Sequence, residues 1–130
     1  MTTNTPVTTA MPDPKPSRVI ICGLFKFRGS KEVAARIEKM IHTLDNVEIV
    51  SPNTPGAAAF GERFAQRHQL NITKFVPNWE QFNAREAVQR RDEAMLDYAT
   101  HLIVLGQPNA YLDKLAAQAK ALGLPIRTIF

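Results

Sequence analysis

Apolar residues in this chain fall into short runs separated by longer stretches of helical periodicity. The first run, Arg18–Cys22 (RVIIC), closes on Gly23, and its length predicts a buried strand. Val33, Ile37, Met40, Ile41 and Leu44 then recur at spacings of three and four, which predicts a helix over Ser30–Leu44. Ser30 suits its N-cap, and Glu32 sits in the first turn, where the helix dipole favours an acid. Val47–Ser51 (VEIVS) reads as a second strand. The turn-like stretch Pro52-Asn53-Thr54-Pro55-Gly56 leads into a helix predicted over Gly56–Gln69, with Ala57, Phe60, Gly61 and Phe64 on one side. Ile72–Val76 is a third predicted strand, ended by Pro77, and Asn78–Asn83 is a loop carrying Trp79 and Phe82. A long helix follows over Ala84–Tyr98 and a fourth strand over His101–Leu105. The last helix is predicted over Ala110–Leu122, with Leu112, Leu115, Ala116 and Ala119 inward, Gly123 as its C′ residue, and a final strand over Ile126–Phe130.

Five short strands alternating with four helices imply right-handed crossovers. The expected architecture is α/β: a Rossmann-like three-layer sandwich with a mostly parallel five-stranded sheet and helices on both faces. In such folds ligands bind beyond the carboxyl ends of the strands, where the strand order reverses. Four loops therefore matter: Gly23–Gly29, Pro52–Gly56, Pro77–Asn83 and Gly106–Asn109.

Composition narrows the picture. The length of 130 residues fits one domain, expected over residues 18–130, and 45% hydrophobic with 22% charged residues is ordinary globular usage. Residues 1–17, with Pro6, Pro12, Pro14 and Pro16 among many threonines, read as a flexible arm rather than a targeting signal. A single cysteine, Cys22, excludes an intrachain disulfide framework. His42, His68 and His101 show no metal-ligand spacing, so no metal or cofactor is implied. No apolar stretch approaches the roughly 20 residues that span a bilayer. A cytoplasmic location and no membrane partner are the expectation. The formal net charge of +4 is spread along the chain, densest at Arg85, Arg90 and Arg91, and fits either solubility or attraction to phosphates.

Arg91 is the main chemical candidate. Ala84, Val88, Arg91, Met95 and Tyr98 are spaced 4, 3, 4, 3 and define one face of the long helix. An arginine on that face needs an anion or several acceptors. The acceptor is either a ligand phosphate or carboxylate at the top of the sheet, or an internal partner among Glu62, Glu80 and Asp92; alternatively the side chain snorkels to the helix edge. The Gly56-Ala57-Ala58-Ala59 helix start either admits an anion to its free N–H groups or packs closely on the sheet, and Pro55 lacks an N–H donor. Gly23-Leu24-Phe25-Lys26-Phe27-Arg28-Gly29 is no GxGxxG loop; Lys26 and Arg28 either reach a phosphate or are solvated. Trp79 and Phe82 either stack a base or cap the core. Nucleophile elbow, Walker A and HExxH motifs are absent, and the spacing of Glu62, Glu80, Glu86, Asp92 and Asp97 pairs no two carboxylates for acid–base work.

Four stretches carry a resemblance: RVIICG (18–23), VEIVSPNTPGAAAFGERFA (47–65), RRDEAMLDYATHLIVL (90–105) and AKALGLPIRTI (119–129). Together they make residues 18–130 similar to the SLOG superfamily of Rossmann-like domains, and within it the YspA-like, cpYpsA-related family. That family follows its first strand with Gly-Ser-Arg, where Gly23 is kept and Leu24 and Phe25 intervene here. Its loop after the second strand reads Gly-Gly-x-Arg-Gly-Ala-Asp, of which Gly56 and Ala57 match and Gly61-Glu62-Arg63 follows. Its Arg-Asn pair on the third helix is Arg91-Asp92 here, and Gly106 alone matches the turn after the fourth strand. The resemblance implies a module that binds a nucleotide-derived small molecule, without catalysis, through degenerate phosphate-contacting loops. The implied pocket is Gly23, Leu24, Phe25, Asn53, Thr54, Gly56, Arg91 and Gly106. Two alternatives stand beside it. One is a protein-interaction module, binding a partner or a second copy, with Leu24, Phe25, Trp79 and Tyr111 as its apolar surface. The other is a nucleoside-phosphate hydrolase using Glu62 or Asp92. Nucleic-acid binding by the basic surface is a weaker third.

Overall fold

The computed structural model describes residues 16–129. Five strands alternate with four helices: β1 (Ser17–Gly23), α1 (Lys31–Ile41), β2 (Val47–Ser51), α2 (Ala57–Arg67), β3 (Asn71–Lys74), α3 (Ala84–Tyr98), β4 (His101–Leu105), α4 (Ala110–Ala121) and β5 (Ile126–Ile129). The strands form one all-parallel sheet in the order β3-β2-β1-β4-β5. The Rossmann-like sandwich expected from the alternation is thus present. The strand order reverses between β1 and β4, which pair from Val19↔His101 to Gly23↔Leu105.

Strand alternation divides the interior into two cores. Val19, Ile21, Ile49, Ile103, Leu105 and Ile129 point to one side and meet Ile37 and Ile41 of α1 and Ala57, Phe64 and Ala65 of α2. Ile20, Cys22, Val50, Leu102 and Val104 point to the other and meet Met95 and Leu96 of α3 and Leu112, Leu115 and Ala119 of α4. Central strands covered on both faces have no solvated side, which is why RVIIC and HLIVL read as unbroken apolar runs.

Local chemistry sets the helix starts. The side chains of Ser30, Asn83 and Asn109 accept hydrogen bonds from the N–H groups of Val33, Glu86 and Leu112. α2 has Gly56 at its N-cap and no side-chain cap.

The structure corrects several sequence-based boundaries. β1 begins at Ser17, one residue inside the expected arm; residues 1–15 of that arm lie outside the described residues, as does Phe130. α1 ends at Ile41 rather than Leu44, because a tight turn closes with Leu44 N–H donating to the Ile41 carbonyl. β3 is Asn71–Lys74 rather than Ile72–Val76: among the described residues it is an edge strand paired with β2 alone, which ends at Ser51 opposite Lys74. Of the face expected for α3, Arg91 and Met95 are buried and Val88 and Tyr98 half-buried while Ala84 is exposed; the buried stripe is Ala87, Arg91, Asp92, Met95 and Leu96. α3 packs against α4 as well as the sheet, and this turns its buried side toward Asp92 and Leu96.

Candidate functional site

At the strand tops the chain covers its own switch point. Gly23 lies so close to β4 that a Cβ there would overlap the Leu105 carbonyl. The loop then folds back: Leu24 N–H donates to the Leu105 carbonyl at 3.1 Å, and the Leu24 carbonyl accepts from Ala57 N–H at 3.0 Å. The first amide of α2 is therefore bonded to the protein itself. Gly56 has φ 73°, and a Cβ on it would overlap the Leu24 and Phe25 carbonyls. The Leu24 and Phe25 carbonyls thus pack on the Gly56 turn, and the Leu24 carbonyl takes the first N–H of α2 in place of a ligand anion. The Leu24 side chain lies over Gly106, whose own N–H donates to the Ile129 carbonyl at 2.7 Å.

Arg91 is held within the protein. Its side chain is 4% exposed, and its Nε donates to Asp92 Oδ1 at 2.7 Å. Nη1 donates to the Pro52 carbonyl at 2.8 Å, and Nη2 reaches Tyr111 Oη at 3.5 Å, the limit of a hydrogen bond. Tyr111 in turn donates its hydroxyl to Asp92 Oδ2 at 2.7 Å. The internal partner that the sequence left open among three carboxylates is Asp92. Burial, followed by the hydrogen bond and charge of Asp92, pushes the Tyr111 hydroxyl pKa up. Burial, with Asp92 second, likewise pushes the Cys22 thiol up to about 12. A thiol held protonated there is no nucleophile.

An open crevice remains beside this network. It holds about 390 Å³ and is lined by Phe25, Asn53, Thr54, Val76, Pro77, Trp79, Val88, Arg91 and Tyr111. Of the pocket implied in the sequence, Phe25, Asn53, Thr54 and Arg91 converge on it, together with Trp79, named as a base-stacking candidate, and Tyr111, named for the alternative apolar surface. Gly23 lines only a small space of about 10 Å³ behind it, with Cys22, Pro52 and Arg91. Leu24, Gly56 and Gly106 form the covered switch point instead. Val76, Pro77 and Val88 had no place in any site read from the sequence, and Trp79 and Tyr111 stood outside the implied pocket. The signal for Val76 and Trp79 lay in large apolar side chains flanking Pro77, just past an edge strand. Phe82 does not face the crevice; it lies 4.2 Å under the Arg90 guanidinium.

The carboxylates are occupied elsewhere. Glu62 accepts from the Ser51 hydroxyl at 2.6 Å and pairs with Lys74 at 3.3 Å. Ser51 is fully buried, and its oxygen also accepts from Asn53 N–H at 3.1 Å, shaping the loop that carries Asn53 into the crevice. Neither Glu62 nor Asp92 lines the crevice. Among the described residues no group of His, Cys, Asp or Glu side chains is placed to hold a metal ion, and no helix is long and apolar enough to cross a membrane.

No protein-family model matches this chain, and neither a curated protein nor a solved structure is significantly similar to it.

Proposed function

We propose that this protein binds, without catalysis, a small molecule whose recognised part is a planar heterocycle of nucleobase type, in the crevice at the carboxyl end of the sheet. One observation carries the reading. Phe25, Val76 and Trp79 are 58%, 60% and 57% exposed around a crevice whose inner wall is the Arg91–Tyr111 network. Large apolar side chains left in water around a concavity of this size are characteristic of ligand sites. Aromatic faces hold bases by stacking, at roughly 1–3 kcal/mol per base. Asn53, Thr54 and the under-used Nη2 of Arg91 supply polar contacts for a heterocycle edge. The covered α2 N-terminus argues that phosphates contribute little, so the nucleoside part carries the affinity.

Trp79 is the sole tryptophan and lines the crevice, so its fluorescence reports occupancy. Titration with nucleosides and their mono- and diphosphates should quench it saturably, with affinities that differ little across each phosphate series. Trp79→Ala, followed by calorimetry, should weaken binding roughly ten- to a hundredfold. Affinity rising steeply with phosphate number would overturn the reading.

A second reading rests on the same exposed side chains: Phe25, Val76 and Trp79 form a docking patch for a partner protein. Fluorescence unmoved by every nucleoside in the panel, up to millimolar concentration, would favour this one.

A further inference from the structure

On the opposite side of the sheet, α1 and α2 enclose a second groove of about 310 Å³. Its apolar wall is Ala34, Phe60 and Phe64. A Cβ at Gly29 would overlap the Phe60 ring, so glycine lets the β1–α1 loop lie flat on that ring at one end of the groove. His68 closes the other end, stacked 4.3 Å from Phe64 and 3.5 Å from a Glu38 carboxylate oxygen.

Lys31, Arg63 and Arg67 also line the groove. Among the described residues none of the three forms an ion pair. Arg63 and Arg67 stand four apart on α2, where like charges repel and destabilise a helix. The carboxylate of the same helix, Glu62, is turned away to Ser51 and Lys74. Three cations thus share one concavity unpaired, and a carboxylate, that of Glu38, lies at its far end beside His68. Guanidinium groups are suited to phosphate, because each presents parallel N–H donors to two oxygens at once.

We propose that this groove is a second binding site, specific for a compact phosphate-bearing anion of the size of pyrophosphate or a phosphomonoester, held by Arg63 and Arg67 with Lys31. A nucleic-acid strand fits less well. The Gly29–Ser30 loop lines one end of the groove, and Glu38, beside His68 at the other, would repel a polyanion running through. The site is independent of the crevice and uses none of its residues.

The test is an NMR titration of the full chain with inorganic pyrophosphate at constant ionic strength. Backbone amides of Gly29, Ser30 and Lys31 and the side-chain Nε–H signals of Arg63 and Arg67 should shift saturably, while the Trp79 indole signal stays still. The double variant Arg63→Gln/Arg67→Gln should bind at least tenfold more weakly, the loss expected for charge-assisted contacts. It should melt close to the parent, because the repulsion it removes offsets the loss of the Arg63 contact over the Phe60 ring and of the Arg67 charge in the last turn of α2. A short single-stranded oligonucleotide at matched phosphate concentration should compete poorly. Shifts that never saturate, shifts that sodium chloride reproduces, equal binding by the double variant, or binding of the oligonucleotide alone would each overturn the proposal.

Discussion

Asp92 accepts from Arg91 on one carboxylate oxygen and from Tyr111 on the other, and only 7% of its side chain is exposed. Removing one partner of such a buried pair leaves an uncompensated charge, at a cost of about 3–5 kcal/mol. Arg91→Ala should therefore melt far below the parent, and Asp92→Leu should do the same from the other side. Arg91→Met combined with Asp92→Leu should recover much of the loss, because an apolar pair asks for no counter-charge. Thermal unfolding of the three variants measures this, and an unchanged melting point for Arg91→Ala would refute the assignment. Tyr111→Phe is the milder probe. It removes one donor to the carboxylate and should cost about 1–3 kcal/mol. The sequence showed that Arg91 needed an acceptor but could not choose among three carboxylates. The choice depends on the Pro52 carbonyl and the Tyr111 hydroxyl, 39 and 20 residues away, which only the fold brings together.

Helix and strand identities were legible because each segment's period matches its surroundings. α3 and β4 carry the expected bounds, and Ser30 caps α1 as expected. What was not legible is the packing of one loop against another element's end. Gly56 reads in sequence as the start of a helix that either admits an anion to its N–H groups or packs closely on the sheet. In the structure the glycine admits the chain's own Leu24 and Phe25 carbonyls. Gly56→Ala should accordingly be costly: the position is left-handed, at φ 73°, and has no room for a Cβ. A loss of about 1–3 kcal/mol is expected from urea unfolding. A neutral substitution would mean that the loop moves aside and that the α2 end is open to an anion. The Pro77–Asn83 loop behaves in the opposite way. Trp79 is exposed and belongs to neither core, so Trp79→Ala should change stability by less than about 0.5 kcal/mol while acting on the crevice.

Across the whole molecule, burial of ionisable groups along the sheet gives stability a definite pH profile. At the acid end, burial lowers the His101 pKa below 6.5, so the unfolded chain takes up a proton first and stability declines as pH falls below that value. The alkaline end is sharper, because Cys22 lies inside the α3–α4 core, with its thiol pushed from an ordinary 9.0 up to about 12. Between those two values the unfolded chain has released the thiol proton and the folded chain still holds it. Fewer protons bound in the unfolded state means that stability falls with rising pH. Its contribution is thus intact below pH 9 and is lost progressively toward pH 12. Tyr111, shifted in the same direction, adds to the same decline. Cys22→Ala removes the thiol share alone. The variant should be less stable than the parent by a fixed amount near neutral pH, and that gap should narrow or reverse by about pH 10.5. Urea unfolding of both proteins at about pH 7, 9 and 10.5 reads the gap directly. A gap that stays constant over that range would show that the thiolate is tolerated where it stands, and that the wall behind the crevice is open to water.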